Sequence, residues 1–235
     1  MKIPIIYKNE KIASINEVVF NNISLKSEFH LKELNCLKVE EAFFFKDKEV
    51  PHRVFHFNHK GEEIKKTNSH FKLIKVLLII ESPHKDEYDI NFVPIGTAQG
   101  QTGRNISKNF YKLIQSNKEL EKLEKDFEVT VYNPIPLQTS MYEITKCFDR
   151  NLRNSVWKYC WNAENGPNFK SKFIEYIVEN NDFEFIINAC TNRLKKYVCE
   201  ALNSNNIPNH THFYHPSFWG SSENITAPNK CIRKY

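Results

Sequence analysis

Five consecutive apolar residues at positions 76–80 run straight into Glu81-Ser82-Pro83-His84. A short continuous apolar segment closed by a proline turn reads as a strand buried on both faces of a parallel sheet. Similar runs follow at 127–132 and 183–188, and a weaker one at 212–214. The segments between them repeat apolar residues at helical spacing: Ile106, Phe110, Leu113, Ile114 and Leu120 within 105–123, then 169–178 and 194–202. This alternation predicts an α/β fold, three-layer α/β/α, with a central, mostly parallel four-stranded sheet and right-handed crossovers.

The first seventy residues differ in character. Alternation over 23–37, the aromatic run Phe43-Phe44-Phe45 and the segment 54–57 before His59-Lys60-Gly61 read as strands or hairpins. No Gly/Ser/Pro-rich linker separates them from residue 75, so residues 1–70 are expected as a β-rich extension packed on a core domain of 71–235. Residues 149–169, with Trp157, Tyr159 and Trp161, look like an insertion whose aromatics serve either ordinary packing or a specificity surface.

Composition constrains the partners only loosely. The 235 residues carry 33 Lys and Arg against 28 Asp and Glu, a net charge of +5 that permits a nucleic-acid partner without demanding one. The six cysteines lack CxxC or CxH spacing, so no metal or cofactor is expected, and Cys190 and Cys199 read as core thiols. Neither a signal peptide nor a membrane span is evident, and a cytoplasmic monomer is expected.

Chemistry is expected where loops leave the carboxyl ends of the strands. The first such loop runs from Glu81 through Lys85, Asp86 and Glu87 to Gly96, Gly100 and Thr102-Gly103-Arg104-Asn105. Its glycines permit close backbone approach, and the helix it enters offers unpaired N–H groups to an anion. The spacing matches neither GxxxxGK[ST] nor GxGxxG, which argues against a nucleoside-triphosphate or dinucleotide site. Asn133-Pro134 follows the second strand, and His215-Pro216-Ser217 follows the last.

In order and spacing these motifs resemble the uracil-DNA glycosylase superfamily over residues 75–221. Some of its branches carry Gly-Glu-(Ala or Ser)-Pro-Gly before an acidic cluster, then a Thr-Gly-Arg-like segment entering a helix, and a final His-Pro-Ser. Ile80-Glu81-Ser82-Pro83-His84 with Asp86-Glu87, then Thr102-Gly103-Arg104, Asn133 and His215-Pro216-Ser217 are similar. The classic uracil enzymes have an aspartate where Ser82 stands and a tyrosine where His84 stands, so the resemblance implies a modified base rather than plain uracil.

The resemblance implies a monofunctional DNA glycosylase. Glu87 would activate water, Glu81 would assist positioning, Asn133 would read the base edge, and His215 would donate to the departing base. Ser82, Pro83, His84 and Asn133 would bind the base. Lys85, Gly103, Arg104, Asn105 and Ser217 would contact DNA, with Phe218 and Trp219 as an apolar wedge. A bulky target such as glucosylated hydroxymethylcytosine in phage DNA is the specific expectation. The alternatives are a nucleic-acid-binding protein that lacks the chemistry and a nucleoside or nucleotide hydrolase.

Overall fold

The computed structural model describes residues 4–7, 10–14, 49–65, 73–89, 93–139, 150–162, 168–208 and 210–221. The expectations for 23–37 and 43–45 lie outside these residues. Strands β1 (Pro4–Tyr7) and β2 (Glu10–Ser14) form an antiparallel hairpin. The main sheet contains β3 (Arg53–Phe57), β4 (Ile74–Ile79), β5 (Phe127–Tyr132), β6 (Phe185–Asn188) and β7 (His210–His212). The helices are α1 (Gln101–Ser116), α2 (Arg150–Asn162), α3 (Phe169–Glu179) and α4 (Asn192–Ser204), with one further helical turn at Lys118–Glu121.

The sheet is five-stranded and mixed, in the order β3-β5-β4-β6-β7. This corrects the expected four strands. Residues 53–57, read above as part of the extension, form an antiparallel edge strand against β5. Their alternation explains the position: Phe55 and Phe57 are buried, while Val54 is exposed, as a strand with one face on a core requires. The other pairings are parallel, and β7 lies two residues earlier than expected.

Period-two alternation sorts each strand between two faces. On one face Phe55, Phe57, Val76, Leu78, Phe127 and Val129 join Ile106, Phe110, Leu113 and Ile114 of α1 in one core. Phe110 stacks on Phe57 at 4.2 Å and meets Phe127 edge-on at 5.8 Å. Truncating such a ring to alanine costs about 3–5 kcal/mol. Tyr132 points the other way and stacks on Tyr176 of α3 at 4.4 Å, with Phe173 at 6.0 Å.

Two compact units interleave along the chain. One comprises Met1–Pro51, Ser82–Ile95 and Pro134–Lys172; the other comprises His52–Glu81, Gly96–Asn133 and Phe173–Tyr235 and contains the main sheet. In the first, Trp157 and Trp161 are almost wholly buried and stack on each other at 5.0 Å, so their role there is packing. Cys160 and Cys190 are buried thiols outside any disulfide, whereas Cys199, expected as a thiol, is disulfide-bonded. No helix among the described residues is long and apolar enough to cross a membrane.

Candidate functional site

Across the sheet the parallel strands run β5-β4-β6-β7, which in chain order are the second, first, third and fourth, so the direction of winding reverses between β4 and β6. Doubly wound sheets bind ligands outside the carboxyl ends of the strands near such a reversal. Here the reversal itself is fastened. The Glu81 carboxylate accepts the Thr191 N–H at 2.7 Å, and the Cys190 thiol donates to the Ile80 carbonyl. Burial pushes that thiol well above its usual range, with the Glu81 carboxylate adding to the effect. Glu81 therefore bridges the end of β4 to the residue preceding α4.

One strand over, Asn133 follows β5 and is 3% exposed. Its Nδ2 donates to Thr97 Oγ1 at 3.3 Å, and its Oδ1 is buried with no hydrogen-bond partner among the described residues. A buried carbonyl left unpaired costs about 1–3 kcal/mol, so such an atom marks either a defect or a place kept for a ligand. Thr97 was not singled out from sequence. The usable signal was its place in a glycine-flanked loop before a helix.

That loop is rigidly built. Ala98 adopts a left-handed backbone at φ 58° although it has a side chain, and it is wholly buried. Arg53 of β3 donates to its carbonyl at 3.1 Å. Gly103, already inside α1 rather than ahead of it, passes so close that a Cβ there would lie 1.7 Å from the same oxygen. Gly103, expected as a DNA contact, thus serves helix–loop packing. Arg104 is exposed and donates to Gln101.

Asn105, expected on DNA, is buried. Its Nδ2 donates to the carbonyls of Pro216 and Ser217 at 2.9 and 3.2 Å. The residues from Thr97 to Asn105 consequently hold Asn133 at one end and the His215 loop at the other. In that loop the Ser217 N–H donates to His215 Nδ1 at 3.2 Å, and Ser217 Oγ lies 2.9 Å from the same nitrogen. With Nδ1 accepting, the neutral ring carries its proton on Nε2, the donor that the leaving-base role requires. Trp219 is fully buried and its indole donates to the Tyr214 carbonyl at 2.8 Å, so it is core and not wedge; Phe218 is 55% exposed.

The remaining candidates belong to the other unit. Ser82 Oγ lies 2.7 Å from Thr139 Oγ1, Pro83 is buried, and His84 is exposed with its ring 3.7 Å from Asp86. Glu87 is buried; its carboxylate accepts the His84 N–H at 3.1 Å across the 3-10 turn Lys85–Glu87, to which Lys85 contributes backbone. Burial raises the Tyr88 hydroxyl above its usual range. Thr139, buried against Ser82, is a second residue that sequence reading passed over.

Behind the last two strands lies a buried ionisable group of residues. Lys195 donates to the Phe213 carbonyl, and burial lowers it to about 8 against the Cys190 and Glu81 charges. His212 is 6% exposed, both ring nitrogens lack hydrogen-bond partners among the described residues, and burial with Lys195 and His210 nearby pushes it down to about 4. Among the described residues no three His, Cys, Asp or Glu side chains converge as metal ligands. Comparison with protein-family models, with curated proteins and with solved structures finds no match.

Proposed function

We propose that this chain is a monofunctional DNA glycosylase of the uracil-DNA glycosylase type, built on a three-layer α/β/α sheet. The observation that carries the reading is the buried, unpaired Oδ1 of Asn133 at the end of β5. That acceptor suits an N–H donor on the Watson–Crick edge of a flipped base, such as the N4 amino group of a cytosine. Packing of α1 and α3 on opposite faces of the sheet supports the layered architecture.

Cleaving the base–sugar bond develops positive charge on the sugar and negative charge on the departing base. In this reading His215 donates through Nε2 to the base oxygen as that charge grows, from a ring already oriented by Ser217. Glu87 is the carboxylate proposed to activate water. Glu81, committed to the Thr191 N–H, acts as a fastener of the sheet rather than in the chemical step. Ser82 and His84, in place of the aspartate and tyrosine of the classic enzymes, favour a base larger than uracil. Glucosylated hydroxymethylcytosine of phage DNA is the proposed substrate, and antiviral defence in the cytoplasm the proposed setting.

Mass spectrometry of bases released from DNAs carrying uracil, hydroxymethylcytosine or glucosylated hydroxymethylcytosine tests this directly. Release is expected, fastest from the glucosylated substrate. Binding of all three without release would replace the reading with a nucleic-acid-binding protein. Activity confined to free nucleosides would replace it with a hydrolase.

A further inference from the structure

Carbonyl after carbonyl in the His215 loop is held by a side-chain donor. Lys195 donates to Phe213, the Trp219 indole to Tyr214, Asn105 to both Pro216 and Ser217, and Lys112 to Trp219. Two of these donors, Asn105 and Lys112, stand seven residues apart on α1 and so share a helix face. Of these two, Asn105 is the one that reaches the turn immediately after His215, while Lys112 holds Trp219. Its orientation is unambiguous, because carbonyl oxygens only accept, so both amide hydrogens must face them. Gln101 Nε2 donates to its Oδ1 at 2.6 Å from one turn earlier and fixes the amide from behind.

We infer that Asn105 is a positioning residue, whose amide clamps the Pro216–Phe218 turn so that the Ser217 N–H stays on His215 Nδ1 and the ring keeps its Nε2–H form. This rests on the glycosylase reading only for its catalytic meaning; the clamp itself is a property of the free protein. A loop carrying a donor to a developing charge gains most from being fixed before the reaction, since no reorganisation is then needed. Asn105→Asp keeps the volume but sets a carboxylate oxygen against two carbonyls. Gln101→Ala, at an exposed position, removes the rear anchor and the surface bond from Arg104 while leaving the Asn105 amide in place.

Hydrogen exchange at the Ser217 amide, with nitrogen-detected NMR of the His215 ring, tests the clamp in the full chain without substrate. In Asn105→Asp the Ser217 amide is expected to exchange at least ~10-fold faster relative to the core amides of Val76 and Leu78, with loss of the single hydrogen-bonded Nδ1 signal. Gln101→Ala should move both readouts in the same direction by less, and it decides the matter if Asn105→Asp does not fold. Unchanged Ser217 exchange and an unchanged ring signal in a folded variant overturn the inference. The glycosylase reading fails separately, if the wild-type chain releases no base while these NMR changes occur as stated.

Discussion

Glu81 and Asn133 sit at the ends of neighbouring parallel strands, are 7% and 3% exposed, and both looked catalytic in the sequence. Their surroundings separate them. The Glu81 carboxylate receives a backbone N–H that joins β4 to the start of α4, whereas the Asn133 carbonyl oxygen receives no donor from the described residues. A buried polar group with a structural partner is explained by the fold. One with unused capacity needs another reason, and at the mouth of an α/β sheet the reason we propose is a ligand.

His212 sharpens this comparison, since it too is buried and unpartnered but lies within β7. Its pKa falls from the ordinary 6.5 to about 4, so the unfolded chain takes up a proton in this window and the folded chain does not. The stability it supports is intact above pH 6.5 and is lost as pH falls towards 4, by on the order of 3 kcal/mol. Urea unfolding at several pH values should show that slope, and His212→Leu should flatten it. A wild-type slope unchanged in the variant would assign the acid sensitivity elsewhere.

Glu81→Ala, next in size, is expected to cost about 2 kcal/mol of stability, the scale for losing a hydrogen bond to a charged group. Base release per folded molecule should stay within a few-fold of wild type. A selective collapse of the rate at unchanged stability would return Glu81 to the chemistry and erase its contrast with Asn133.

The smallest effect separates the two aromatics of the last turn. Trp219→Phe removes the indole donor to Tyr214 and should cost about 1 kcal/mol, while Phe218→Ala should leave the melting temperature alone and weaken DNA binding. Equal loss of stability from both would contradict the division between core and surface.

How much of this was legible in the sequence depended on the range of the forces involved. Residues 76–80 announced a buried strand because continuous apolarity is a local property, and the helical spacing of Ile106, Phe110 and Leu113 announced α1 for the same reason. The fifth strand was read as a strand at 54–57 but assigned to the extension, because its place beside β5 depends on pairing across about seventy residues. Asn133 and His215 could be named from the turns that follow strands. That Asn105 would face two loop carbonyls, or that Gly103 would press on Ala98, follows from approach distances that no spacing encodes. Trp219 was misread because an aromatic after His-Pro-Ser looks the same in sequence whether it points outward or into the core.

The central claim is that the unpaired oxygen of Asn133 is kept for a base. It is tested most directly by the single-turnover rate of base release from glucosylated hydroxymethylcytosine DNA, wild type beside Asn133→Leu. Leucine matches the shape; it removes the unpaired oxygen but also the bond from Nδ2 to Thr97, so the variant's stability should stay within about 1–2 kcal/mol of wild type. Its rate should fall by roughly 10²-fold or more, the scale for losing a preorganised contact to the reacting group. Equal rates from the two folded proteins would contradict the claim.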